Sequence, residues 1–270
     1  MSRLDQALVS RGLARSRTHA ARLIAEGKVS SGGEVLAKAS LHIQEETLLD
    51  VAAAEEDNYV SRAGHKLAGA LDAFSAVQVK GRRCLDAGAS TGGFTEVLLR
   101  RGADHVVAVD VGHDQLVPQI RNDARVSVHE GLNVRYMTPD EIGGRSSLTV
   151  ADLSFISLTL VLASLAACTE PGGDLVLMVK PQFEIGKDRL GRTGVVTSEW
   201  ERRLAVGKVA AEAMDTGLEL MGLAGSPLPG QDGNVEYFLW IKRGIGTDLP
   251  KIEERDAAVA ALLGTIWPKY

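Results

Sequence analysis

Only two cysteines occur in the 270 residues, Cys84 and Cys168, far apart and in apolar surroundings. Neither stands in a CxxC pair or a Cys/His cluster, so there is no disulfide framework and no metal-ligand spacing. A reducing cytoplasm is the expected compartment, and no metal is expected. Long apolar runs are also missing. The longest, Phe155 to Cys168, falls short of the about 20 residues that a membrane-spanning helix needs. The start, Met1-Ser-Arg-Leu-Asp, has no apolar stretch of the kind a secretory leader carries. With 45% hydrophobic and 24% charged residues, the chain reads as globular rather than disordered. A chain of this length buries about three quarters of its unfolded surface and folds without staples.

A basic excess is missing overall, the formal net charge being −5, but the average hides an asymmetry. Residues 1–42 carry seven bases (Arg3, Arg11, Arg15, Arg17, Arg22, Lys28 and Lys38) against Asp5, Glu26 and Glu34; residues 43–57 carry six acids and no base. Local charge decides phosphate binding, because screening cuts the field off within about a Debye length. Leu4, Ala7, Leu8 and Leu13 recur at helical spacing, and Gly12 breaks the chain. Ser16 is a good N-cap for a second helix through Ala20, Ala21, Leu23 and Ile24, which Gly27 ends. Lys28 to Leu36 reads as a hairpin about Gly32-Gly33. Arg11, Arg15, Arg17 and Arg22 present guanidinium groups suited to bidentate phosphate contacts. The run Arg3-Leu4-Asp5, Ser16-Arg17, Ala20-Ala21-Arg22-Leu23-Ile24 and Gly27-Lys28-Val29 resembles the alpha-L RNA-binding domain of ribosomal protein S-four and of pseudouridine synthases.

From Tyr59 onward strands and helices alternate. The strands are expected at Cys84–Gly88, His105–Asp110, Val126–His129, Leu148–Asp152 and Asp174–Lys180, with helices over 60–74, 91–102 and 158–167. Such alternation implies a parallel sheet covered on both faces. The strand-like segments 218–225 and 235–242 have no room for a helix between them, which predicts a closing antiparallel hairpin. By analogy this is the Rossmann-like α/β sheet of S-adenosylmethionine-dependent methyltransferases, preceded by a small α+β RNA-binding domain. The expected divisions are 1–58, 59–245 and a helical tail over 246–270.

The loop Asp86-Ala-Gly88-Ala-Ser90-Thr91-Gly92-Gly93-Phe94 lacks what two phosphate-binding loops require. Ser90 stands where the dinucleotide fingerprint needs Gly, and Phe94 where a nucleotide triphosphate loop needs Lys. What remains is a ligand that approaches the backbone without a phosphate clamp, and S-adenosylmethionine fits. Asp86 is expected near its amine or sulfonium, with Gly88, Gly92 and Gly93 clearing space. Asp110, 22 residues after Gly88, suits the ribose hydroxyls, and Glu130-Gly131-Leu132-Asn133 suits the adenine.

Four further polar residues, Lys66, Asp152, Lys180 and Glu236, fall at strand ends or helix positions where an open sheet builds its site. A lysine after Leu-Val-Leu-Met-Val is desolvated, which favours the neutral amine, while a neighbouring carboxylate orients it. In order along the chain stand the basic module, Ser61-Arg-Ala-Gly-His-Lys-Leu67, the glycine loop, Asp152-Leu-Ser-Phe-Ile-Ser157 and Lys180-Pro-Gln-Phe-Glu184. Together they resemble the TlyA family of rRNA 2′-O-methyltransferases, whose catalytic domain is similar to FtsJ-type enzymes. The resemblance implies a catalytic set of Lys66, Asp152, Lys180 and Glu236, with Lys180 removing the 2′-hydroxyl proton. Asp152 and Lys66 would orient it, and Glu236 would position Lys180 or the ribose. It implies S-adenosylmethionine as cofactor, and ribosomal RNA or ribosomal subunits as partner. Lys187, Arg189 and Arg192, set among glycines, form the expected RNA-facing loop of the larger domain. The alternatives are an RNA-binding protein without turnover and a cytolysin, since the family also carries the name haemolysin.

Overall fold

The computed structural model describes residues 2–14, 17–44, 46–51, 59–186, 189–246 and 249–268. The chain forms two units, Met1–Asn58 and Tyr59–Tyr270. In the first, β1 (Ser2–Arg3) leads into α1 (Leu4–Ser10), followed by α2 (Arg17–Ala25), β2 (Val29–Ser31), β3 (Glu34–Val35), β4 (His42–Ile43) and β5 (Asp50–Val51). Strands β3, β2 and β5 make one antiparallel sheet, and β1 pairs with β4. Gly32 and Gly33 both have positive φ between the paired Ser31 and Glu34, the two-residue turn that suits strand twist. Leu4, Leu8, Leu23, Ile24 and Val29 form the core. Leu13 does not join the first helix as its spacing suggested: α1 stops at Ser10, and both Leu13 N and Ala14 N donate to the Leu8 carbonyl. The expected cap Ser16 and the segment 52–58 lie outside the described residues.

The second unit begins with α3 (Arg62–Ala73) and continues β6 (Arg83–Ala87), α4 (Gly93–Arg100), β7 (His105–Asp110), α5 (Pro118–Arg121), β8 (Val126–Glu130) and β9 (Ser146–Ala151). Then come α6 (Leu162–Ala167), β10 (Thr169–Val179), α7 (Pro181–Glu184), α8 (Glu199–Asp215), β11 (Leu218–Gly225), β12 (Tyr237–Arg243) and α9 (Ile252–Gly264). Seven strands lie in the order β11-β12-β10-β9-β6-β7-β8. Neighbours from β10 to β8 are parallel, whereas β12 runs antiparallel to both β10 and β11. One face packs on α3 and α4 through Leu67, Leu71, Phe94 and Leu98. The other packs on α6, α8 and α9 through Leu162, Leu165, Val206, Val209, Leu263 and Trp267. Both cysteines are buried in these layers, and burial pushes their thiols up to about 12 (Cys84) and about 11 (Cys168), so they are inert. Among the described residues no helix is long and apolar enough to cross a membrane.

Parallel strands finish on one edge. Ala87 is level with Ala151, Ala151 with Leu177, and Val179 with Tyr237. The residues just beyond these positions therefore form a row on adjacent strands: Gly88, Asp152, Lys180 and Glu236. Asp152 and Lys180, expected as last strand residues, and Glu236, expected within a strand, each stand one residue outside the ladder.

Candidate active site

A cavity of about 850 Å³ opens over this row, lined by Ser61, Lys66, Gly88, Asp152, Lys180 and Glu236 among others. The four charged groups form two ion pairs. Lys66 Nζ, carried in by α3, donates to Glu236 Oε2 at 2.6 Å, and the two side chains are only 10% and 3% exposed. Lys180 Nζ pairs with Asp152 Oδ1 at 2.6 Å and donates to Ser154 Oγ at 2.9 Å. Glu236 thus engages Lys66, whereas Lys180 is held by Asp152 and Ser154. Ser154 escaped the sequence reading, although its place two residues after Asp152 was the available signal. So did Phe155, which is 91% exposed, holds a left-handed φ of 64° and packs on Phe183 with ring centroids 5.3 Å apart. For a bulky residue that backbone conformation costs energy and persists only where its surroundings impose it.

The glycine loop is closely packed by its neighbours. A Cβ on Gly88, whose φ is +90°, would lie 2.7 Å from the Asp152 carbonyl oxygen, and one on Gly93 would lie 2.2 Å from Ser61 Oγ. These glycines admit neighbouring protein closely, and both also line the cavity. Asp86 is fully buried beneath the loop. Its Oδ2 accepts from Thr95 Oγ1 at 2.6 Å, and its Oδ1 is buried with no hydrogen-bond partner among the described residues. Burial pushes this carboxyl up to about 7, against the Thr95 hydrogen bond and with the help of the Asp152 and Asp110 charges. A second, smaller depression shares Ala89 and Ser90 with the large cavity and is walled by Ala108, Leu116 and Val128, with Asp110 and Glu130 beside them. Asp110 accepts from Ser90 N (2.8 Å) and Gly112 N (2.7 Å); Glu130 accepts from Asp114 N and Arg121. The Asn133 side chain caps its own turn by accepting from Arg135 N (3.0 Å), and Leu132 packs on the core. Thr91 and Phe94 line the large cavity. The orphaned Asp86 oxygen, the apolar slot between two acids and the adjoining charged cavity fit S-adenosylmethionine, which joins an amine, a sulfonium and an adenosine.

Asp86 has a signed consequence for stability. Its folded carboxyl keeps a proton from 3.8 up to about 7, a range in which the unfolded chain has lost it, so the group's contribution falls as pH rises through that window. Asp86→Asn should stabilise the cofactor-free protein above pH 7 by on the order of 3 kcal/mol while weakening S-adenosylmethionine binding. Denaturant unfolding from pH 4 to 8 beside cofactor titration checks both effects; equal stability of the two proteins at pH 8 would count against the buried-carboxylate account.

In the first unit, Asp5 is buried and accepts from Arg3 (3.0 Å) and Arg17 (2.9 Å); hydrogen bonds from Arg3 and then Arg17 hold its carboxyl down to about 2. The Arg17 side chain remains 59% exposed. Arg11 donates to the Thr47 and Gln44 carbonyls, and Lys28 pairs with Glu26 at 2.9 Å. Arg189 and Arg192 are exposed. Arg15 and Lys187, and the Arg22 side chain, lie outside the described residues.

Residues 59–243 match the FtsJ-like methyltransferase family and residues 2–49 the S4 domain. The 16S/23S rRNA (cytidine-2′-O)-methyltransferase TlyA of Mycobacterium tuberculosis is 54% identical over 241 residues, covering 89% of this chain and 90% of the relative. Hemolysin A of Brachyspira hyodysenteriae is 36% identical, covering 87% of this chain and 98% of the relative. A solved structure from Streptococcus thermophilus that carries the hemolysin name superposes with a TM-score of 0.71 at 37% identity, covering 99% of this chain and 97% of the other.

Proposed function

This chain belongs to the TlyA family of rRNA 2′-O-methyltransferases, and from that premise we propose that it methylates a ribose 2′-hydroxyl of ribosomal RNA, on a cytidine as its relatives' names specify. The observation that carries the reading is Lys180, an amine fixed by Asp152 and Ser154 at the floor of a cavity that also holds a second ion pair, Lys66–Glu236.

When bound, S-adenosylmethionine supplies an electrophilic methyl group on a sulfonium sulfur. Asp86, Ser90, Asp110 and Glu130 would hold it, the acids accepting from its amine and ribose hydroxyls. Lys180 Nζ takes the proton of the target hydroxyl as general base. Asp152 and Ser154 aim that nitrogen. The Lys66–Glu236 pair, beside Lys180 in the same row, keeps the cavity lining charged yet neutral in sum, so the developing alkoxide meets fixed charges rather than water. The exposed ring of Phe155 offers a stacking face for the base of the target nucleotide.

The S4 domain supplies phosphate contacts through Arg3, Arg11, Arg17 and Lys28, with Asp5 holding Arg3 and Arg17 side by side. Arg17→Ala should weaken RNA binding uniformly across sequences and lower the slope of log affinity against log salt by about 1. Fluorescence anisotropy across a salt series reads that slope, and an unchanged slope would remove Arg17 from the contact set.

The reading as a whole is tested by transfer of labelled methyl from S-adenosylmethionine to purified small and large ribosomal subunits. Label in the RNA of either subunit is the expected result. No label on either, from protein that binds the cofactor, overturns the ribosomal substrate.

A further inference from the structure

Each of two sequence motifs begins with a residue of the proposed machinery and ends with one it does not use: Asp152 to Ser157, and Lys180 to Glu184. In the structure the unused ends meet. Glu184, the last residue of α7, is 4% exposed. Its Oε2 accepts from Ser157 Oγ at 2.5 Å and its Oε1 from Leu158 N at 2.8 Å, so both oxygens are spent on the loop that follows β9. Ser157 Oγ in turn accepts from Thr159 N, closing the turn beyond it. From the other side, α8 reaches the same helix through Lys208 Nζ, which donates to the Glu184 carbonyl at 3.2 Å.

The two segments are joined at three points: Lys180 to Asp152 and Ser154, Phe183 to Phe155, and Glu184 to Ser157 and Leu158. Between the first and last lies Phe155, whose left-handed backbone has to be imposed by its surroundings. A carboxylate is a costly way to join two loops in a dry place, because its desolvation is offset only by complete hydrogen bonding. Here each carboxylate oxygen has a donor, and both donors come from the loop whose position decides where Asp152 and Ser154 stand.

We infer that Glu184 is a positioning residue, which locks the 152–158 loop onto α7 and thereby holds Asp152, Ser154 and Phe155 around Lys180. This rests on the proposed role of Lys180. Loosening the lock leaves the cofactor slot, which lies on the far side of β6, intact, but lets the Lys180 surroundings drift.

The test compares Glu184→Ala, Glu184→Gln and Ser157→Ala with the wild type in steady-state and single-turnover methyl transfer to ribosomal subunits. Glu184→Ala should lower kcat on the order of 10- to 100-fold with KM for S-adenosylmethionine within about twofold. Glu184→Gln should recover most of the rate, since its amide oxygen accepts from Leu158 N and its NH₂ donates to Ser157 Oγ. Ser157→Ala, which removes one bond of the two, should fall between them. In a Lys180→Ala background Glu184→Ala should cost nothing further, as for two residues acting through one group. A second readout needs no methyl transfer: acylation of Lys180 by acetic anhydride, quantified by peptide mass spectrometry, should speed up by about threefold or more in Glu184→Ala and stay at the wild-type rate in Glu184→Gln. If wild-type protein transfers no methyl, the proposed function fails, and the acylation rates still judge Glu184. A wild-type kcat in Glu184→Ala, a parallel loss of kcat and cofactor binding, or an unchanged Lys180 acylation rate would overturn the assignment. Should Glu184→Ala not fold, Ser157→Ala and Glu184→Gln decide by the same readouts.

Discussion

Replacing Lys180 with Ala lowers the methyl-transfer rate by between about 10²- and 10⁴-fold while cofactor affinity stays within about threefold. The amine lines the cavity and is held by two neighbours, Asp152 and Ser154. A fixed positive charge alone would also stabilise an alkoxide, so Lys180→Arg separates the two ideas. Arg keeps the charge and cannot take up a proton at any working pH. Both variants should be equally inactive in single-turnover assays at saturating cofactor. An Arg variant within about tenfold of wild type would replace proton removal with simple electrostatic stabilisation.

Glu236→Ala is expected to destabilise the fold by about 3–5 kcal/mol, well beyond an average substitution, and to abolish activity. The cause is what remains: Lys66, carried in by α3, would be left as a nearly buried ammonium whose acceptor has gone. The carboxylate also needs glycine beside it, because a Cβ on Gly230 would lie 2.7 Å from Glu236 Oε1. Replacing both partners by apolar residues of similar volume, as in Lys66→Met with Glu236→Met, removes the unpaired charge as well. That double variant should regain near wild-type stability. It should not regain methyl transfer, since the cavity wall has lost its charged pair. Urea unfolding of wild type, both single variants and the double variant measures the first claim, and methyl transfer by the folded double variant measures the second. A double variant with restored activity would reduce the pair to a structural element.

The sheet was legible because its strands are apolar and bounded: His105–Asp110 and Leu218–Gly225 stand where their composition put them. Helix α8 was not, for a physical reason. Its buried stripe is Ala205, Val206, Val209, Ala210 and Ala213, small residues that contribute little hydrophobic contrast, and its first turns are densely charged. Asp152, Lys180 and Glu236 could be singled out because each borders a strand end, and Lys66 because it lies in the helix before the first strand of the sheet. Their pairing could not, since Lys66 and Glu236 are 170 residues apart and meet only because β12 inserts between β10 and β11. The glycine loop shows the limit of motif reading. Gly88 and Gly93 mark close approach of backbone, as their type suggests, but what approaches is the Asp152 carbonyl and Ser61. Asp86 is a fully buried carboxyl with one oxygen satisfied by Thr95, a burial that local sequence does not encode.

The most direct test of the account is where the methyl group goes. Ribosomal subunits treated with the protein and isotopically labelled S-adenosylmethionine are digested to nucleosides, and the labelled nucleoside is identified by mass spectrometry. The account predicts 2′-O-methylcytidine, formed by wild type and absent with Lys180→Ala. Label on a base nitrogen or carbon would contradict it, because the proposed role of Lys180 is to take a proton from a hydroxyl.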